Sequence, residues 1–214
     1  MFGVCPHGIV PYSLGLLAFG RLSALFNSPR IVIASVVRWI PVFSQVLKWG
    51  GAIEATDAHI SAALIAGQSL AVTPGGIAEM FYSGAQGCKN EVVVLGSRKG
   101  FVRHAIKHGA ALVPVYVFGA NSLFHRVALP QAITDLSRYL RASIMLFFGR
   151  FGLPIPFSVP LVYAVGQSIL LNPWPCVGPP TQDEVDFVHN AFIRSLVCAF
   201  EENKQGGVGE LTIT

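Results

Sequence analysis

Apolar positions in this 214-residue chain fall into short runs separated by glycine and proline rather than into a few long blocks. Phe2-Gly3-Val4-Cys5 is apolar and stops at Pro6-His7-Gly8. This reads as a buried strand that ends in a sharp turn, because proline fixes φ and removes a donor while glycine lets the chain turn away. Leu14, Leu17, Ala18, Leu22, Leu25 and Phe26 then recur at helical spacing, predicting one helix that closes near Asn27-Ser28-Pro29. The β-branched run 31–34 predicts a second buried strand. Residues 37–49 read as an amphipathic helix interrupted at Pro41, with Arg38 and Lys48 beside Trp39 and Trp49 either at a lipid headgroup layer or on an ordinary surface. A short strand over 50–55 precedes a helix capped by Thr56 or Asp57, running to about Ala66 and closed by Gly67. Strand 69–73 then delivers Pro74-Gly75-Gly76-Ile77-Ala78-Glu79.

The second half continues the alternation. Residues 91–95 predict a strand, followed by a helix begun near Lys99. Lys99, Arg103 and Lys107, four apart, share one face of it, and Phe101, Val102, Ala105 and Ile106 take the others. The apolar strand 110–119 contains Pro114, which places it at a sheet edge or at a bulge. A helix over 131–140 and strands over 144–148 and 160–165 follow, joined by loops rich in proline and glycine. Thr181 with Glu184 three residues later forms a capping box, opening a last helix through Val185, Val188, Phe192, Leu196 and Phe200 to Lys204. Strands alternating with helices at this spacing indicate an α/β fold, a single domain over 1–214 whose largely parallel or mixed sheet is flanked by helices.

Composition changes the picture in one respect. Only 12% of residues are charged, 52% are hydrophobic, and the mean hydropathy is +0.57. That balance makes membrane contact the leading expectation. A spanning helix needs roughly 20 unbroken apolar residues, whereas the best stretch, 9–25, is interrupted by Pro11, Gly15, Gly20 and Arg21. Such segments read as buried or interfacial, and no secretory signal peptide is expected. Cys5, Cys88, Cys176 and Cys198 have neither paired spacing nor companion histidines, so they argue against zinc and for reduced, intracellular thiols. A formal charge of +4 suits an anionic membrane face or a phosphorylated cofactor, and no basic run with interleaved aromatics supports nucleic acid.

Three places carry candidate chemistry. His7 is either an ordinary turn histidine or a side chain projected into a cleft at a strand end. Gly75 and Gly76 let backbone amides face such a cleft, and Glu79 points back into it; the plainer reading is a packing turn with Glu79 at a helix N-terminus. Arg98 and Lys99 open a helix where a phosphate meets side chains and free N–H groups, although a basic stripe is more often a solvated face. His59, His104, His108, His125 and His189 have no matched acidic or glycine context and read as surface or core residues.

Taken together and in order, Cys5-Pro6-His7-Gly8, Pro74-Gly75-Gly76 with Glu79, Arg98-Lys99-Gly100-Phe101-Val102-Arg103, the 149–156 run Gly-Arg-Phe-Gly-Leu-Pro-Ile-Pro, and Asp183-Glu184-Val185-Asp186 with His189 closely resemble the type-2 diacylglycerol acyltransferase family. That family includes monoacylglycerol and wax-alcohol acyltransferases. The likeness covers nearly the whole chain and is of the kind associated with algal or protist members. It implies an acyl-CoA-dependent O-acyltransferase of neutral lipid alcohols at the cytosolic face of the endoplasmic reticulum or on lipid droplets, with acyl-CoA as co-substrate and no permanent cofactor or metal. By the same resemblance His7 is the general base, Glu79 orients its imidazole, Gly75 and Gly76 amides hold the oxyanion, and Arg98, Lys99 and Arg103 grip coenzyme A phosphates. Diacylglycerol, acyl-CoA and membrane lipid are the expected partners, with a homo-oligomer left open. The family pattern opens on a histidine where this chain has Cys5, and related glycerolipid acyltransferases carry an aspartate where it has Tyr12. A thiol two residues from a histidine also admits an acyl-enzyme route through Cys5. The family's upstream membrane hairpin is expected before Met1.

Overall fold

A computed structural model describes residues 1–35, 37, 43–80, 82, 90–127, 146–171, 179–204, 206 and 208–214. Its centre is a six-stranded sheet of β1 (Phe2–Cys5), β2 (Arg30–Ile33), β3 (Ile53–Glu54), β4 (Leu70–Val72), β6 (Val113–Phe118) and β9 (Val162–Val165), in the order β3-β2-β4-β1-β6-β9. All neighbours pair in parallel except β9, which runs antiparallel to β6. Two small sheets join it: β5 (Glu91–Val93) pairs in parallel with β10 (Leu211–Ile213), and β7 (His125–Arg126) pairs with β8 (Phe147–Phe148).

The central strands β1, β4 and β6 are covered on both faces, so they are apolar throughout rather than alternating. Val4, Ile31, Ala71, Val115 and Val117 pack toward Leu14, Leu17 and Phe26, on the side of α1 (Tyr12–Leu16) and α2 (Gly20–Leu25). Cys5, Val32, Leu70, Val72, Tyr116 and Phe118 face the opposite cluster, supplied by α4 (Asp57–Ile65), α6 (Gly100–Lys107) and the final helix α7 (Gln182–Asn203). Two further helices, α3 (Phe43–Trp49) and α5 (Ile77–Met80), complete the described set. On α7, Val185, Val188, His189, Phe192, Leu196, Ala199 and Phe200 are buried, a stripe at helical spacing. The tip of the Phe192 ring abuts β1, where a Cβ on Gly3 would stand 2.5 Å from its Cζ. Burying a ring of this size contributes about 2–3 kcal/mol, and it is glycine at position 3 that lets helix and strand approach this closely.

The α/β reading and the capping residues hold. Thr56 caps α4 by accepting the His59 N–H, and Thr181 with Glu184 forms the capping box of α7. Three expectations need correction. The single helix expected from Leu14 to Phe26 is two, because Phe19 is extended and Gly20 takes φ +66° between them. Strand β6 is no edge strand, since it lies between β1 and β9. Pro114 is tolerated by the bulge alternative: between the pairs Leu112–Ile169 and Val115–Val165, β6 advances three residues while its partner uses four. Finally, β7 and β10 were not anticipated. The expected helix over 131–140, along with Arg38, Trp39, Cys88 and Cys176, lies outside the described residues. No described helix is long and apolar enough to cross a membrane.

Candidate active site

Because β4, β1 and β6 are adjacent and parallel, the loops leaving them gather at one end of the sheet, where α/β folds place ligands. The loop after β1 carries Pro6, His7 and Gly8, the loop after β4 carries Gly75 and Gly76, and the loop after β6 carries Gly119. Gly8 has φ +70°, and a Cβ there would lie 3.2 Å from the Ala120 carbonyl oxygen, so the His7 and Gly119 loops touch backbone to backbone.

His7 and Glu79 meet, but not through the imidazole. Glu79 is fully buried, and its Oε2 accepts the His7 backbone N–H at 2.5 Å while its Oε1 accepts the Val94 N–H at 2.9 Å. The carboxylate thus ties the His7 turn to the residue that follows β5. The His7 ring instead places Nδ1 2.9 Å from the Gly8 carbonyl oxygen. A carbonyl only accepts, so Nδ1 carries the proton and the lone pair falls on Nε2, the form a general base requires. Burial pushes the His7 pKa below its ordinary value, with the Gly8 hydrogen bond opposing, so the ring is neutral at pH 7. Burial also pushes Glu79 up, to about 7, against the pull of the His7 and Val94 amides and of Arg98.

The two glycines shape the turn that holds Glu79. A Cβ on Gly75 would lie 2.0 Å from Glu79 Oε1, so Gly75 is the floor over which the carboxylate folds. The Gly76 N–H donates to the Thr73 carbonyl at 3.2 Å and is committed to the turn.

Cys5 is fully buried on the α6 and α7 side of the sheet. Burial, with the Glu79 charge adding to it, pushes its thiol pKa well up, so it is a packing thiol and the acyl-enzyme route through it is not favoured. Its register partner on β6 is Tyr116. The nearby Asn121 amide donates to Glu91, whose pKa burial raises.

The basic residues divide. Arg98 is exposed and its charge reaches Glu79. Lys99 is the N-cap residue of α6 and pairs with Asp186 at 2.7 Å, while Arg103 donates to Gln182 at 2.7 Å. Lys99 and Arg103 therefore lie against the first turns of α7, a surface shared by two helix starts. Of the histidines read as surface or core, His104 reaches Asp57 across α4 and α6 at 3.1 Å, and His189 is buried in α7. A cleft of ≈ 380 Å³ between β3 and α4, lined by Arg30, Glu54, His59 and Gln68 among others, includes none of the His7 constellation. Sequence reading missed Val94 and Glu91. Val94 acts through a backbone N–H, which leaves no side-chain signature, and the one signal for Glu91 was an acid opening an otherwise apolar strand.

This fold and site define an α/β protein that sets a neutral histidine and a buried carboxylate at the end of a parallel sheet. The chain matches the Diacylglycerol acyltransferase family over residues 1–210, and it belongs to that family. It is 31% identical to human diacylglycerol O-acyltransferase 2 over 229 aligned positions, which cover 95% of this chain and 56% of that protein. It is 30% identical to human 2-acylglycerol O-acyltransferase 3, with 96% and 64% covered, and 29% identical to bovine diacylglycerol O-acyltransferase 2-like protein 6, with 96% and 66% covered. The chain thus spans between half and two thirds of the length of these relatives. No solved structure matches it.

Proposed function

We propose that the chain transfers an acyl group from acyl-CoA to the hydroxyl of a neutral lipid alcohol, with diacylglycerol the preferred acceptor and triacylglycerol the product. The observation that carries this reading is the neutral His7 ring, with Nδ1 engaged by Gly8 and its lone pair on Nε2. Nε2 takes the hydroxyl proton as the acceptor oxygen attacks the thioester carbonyl. The C–S bond then breaks, an ester forms, and the coenzyme A thiolate leaves and takes the proton back from the imidazole. Glu79 acts as a positioning residue, accepting the His7 backbone N–H and so fixing the turn that carries the ring. Arg98, Lys99 and Arg103 serve the phosphates of coenzyme A, which stays a co-substrate. The reaction takes place at the cytosolic face of the endoplasmic reticulum membrane or on lipid droplets, where the acceptor is dissolved.

A monoacylglycerol acceptor is the second reading, favoured by the likeness to 2-acylglycerol O-acyltransferase 3. Membranes carrying the chain, incubated with labelled acyl-CoA and either acceptor, decide between the two by which ester forms. His7→Ala is expected to lower turnover by about 10²–10⁴. Undiminished ester formation by that variant would remove His7 as the base, and acyl-CoA binding without any product would make the chain a non-catalytic relative.

A further inference from the structure

The segment between β8 and β9 is held tightly yet presents apolar side chains outward. The Gly149 N–H donates to the Leu153 carbonyl at 2.7 Å and the Arg150 N–H to the Ile155 carbonyl at 2.8 Å. A Cβ on Gly149 would lie 1.8 Å from that Ile155 oxygen, so the crossing requires glycine. At the tip Phe151 has φ +59°, a region that aromatic residues avoid. Its side chain is 85% exposed, and Leu146, Leu153 and Ile155 are exposed near it. The Arg150 guanidinium lies 5.6 Å from the Phe151 ring centroid. An exposed cation–π contact is worth about 0.5–1 kcal/mol, which does not outweigh about 1–3 kcal/mol for an aromatic residue held at positive φ, and the imbalance points to a use outside the fold.

Two observations say what that use is. No Asp or Glu occurs over residues 136–182, whose charged side chains are Arg138, Arg141 and Arg150. An apolar tip with only positive charge near it in sequence complements an anionic lipid interface. The base of the loop also packs on the turn that carries His7: Ile9, Leu123 and Phe124 form a buried cluster joined by Val10 and Phe147, and Gly149 faces the Phe124 ring.

We propose that the 149–155 loop seats the chain on an anionic lipid bilayer, with Phe151 and Leu153 entering the acyl boundary and Arg150 remaining among the headgroup phosphates. The proposal rests on the acyltransferase reading only for its purpose, which is to hold the His7 end of the sheet at the surface where a lipid acceptor resides.

The test reads binding rather than turnover. Asparagine accepts positive φ better than phenylalanine does, so Phe151→Asn is expected to melt at or above the parent temperature. Its sedimentation with phosphatidylcholine vesicles containing phosphatidylserine is expected to fall about tenfold. Phe151→Gly, which also accepts this backbone, should behave alike and guards against a folding artefact. Arg150→Gln should lower only the extra binding that phosphatidylserine confers. Vesicle binding by Phe151→Asn and Phe151→Gly equal to the parent's overturns the proposal, as does a change in self-association with binding intact. Absence of ester formation by the parent chain alongside its vesicle binding would count against the function proposed above and not against the docking.

Discussion

Two carboxylates, Glu79 and Asp186, answer their neighbours in opposite ways. Glu79 is fully buried, is held by two backbone amides, and titrates near 7 because burial outweighs those amides. Asp186 has a side chain 39% exposed and pairs with Lys99; the hydrogen bond from Lys99 is the main cause that holds its pKa below the usual carboxylate range. Glu79 has no water to fall back on, so every group around it matters, whereas Asp186 shares its charge with solvent. The first arrangement fixes geometry at the His7 turn, and the second leaves an exposed pair whose partners exchange readily with solvent.

Gly75→Ala should break the buried arrangement most severely. Its Cβ would occupy the place of the Glu79 carboxylate, so overpacking and the loss of two amide contacts combine to about 4 kcal/mol of stability. Turnover should fall with it, and thermal melts alongside acyl transfer check both. Glu79→Gln reads the titration directly. A carboxyl with an ordinary value of 4.5 that reaches about 7 in the fold binds more protons folded than unfolded across that window. Its contribution to stability is therefore present at low pH and is lost as pH rises through about 7, a swing of about 3 kcal/mol. His7 acts in the opposite sense: its lowered value makes stability rise with pH as its window is crossed, below about 6.5. Denaturant midpoints from pH 5 to 8 should show the Glu79 swing in the parent and its disappearance in Glu79→Gln. Cys5→Ser should cost about 1–2 kcal/mol for burying a hydroxyl while retaining most of the turnover; loss of turnover with stability intact would revive a chemical role for the thiol. The smallest effect belongs to Lys99→Ala, which should leave the melting temperature unchanged and raise KM for acyl-CoA a few-fold, a difference that added salt abolishes by raising the parent's KM. Equal sensitivity of Lys99→Ala and Gly75→Ala in a melt would erase the contrast between the two carboxylates.

Much of this was legible in the residues. The strand into His7, the Gly75-Gly76 turn with Glu79 and the amphipathic α6 and α7 follow from local periodicity and capping, which depend on neighbours in sequence. What escaped depends on contacts across the fold. The oxygens of Glu79 meet the backbone of His7 and Val94, and a backbone amide looks the same at every position. Pro114 pointed to an edge or a bulge, and only the pairing of β9 settled which. The split of the first helix at Gly20 was readable from a glycine beside Phe19, but the run of helical spacing across it concealed the break.

The pairing of β10 with β5 has a practical consequence. The Thr214 carbonyl accepts the Leu95 and Gly96 N–H groups, each at 2.8 Å, and Leu95 directly follows the Val94 amide that holds Glu79. Residues more than two hundred positions from His7 in sequence thus reach its backbone through three hydrogen bonds: Leu95 to Thr214, Val94 to Glu79 and His7 to Glu79. Removal of residues 211–214 is therefore expected to loosen the Val94 amide and, through Glu79, the His7 turn, which a thermal melt of the shortened chain checks.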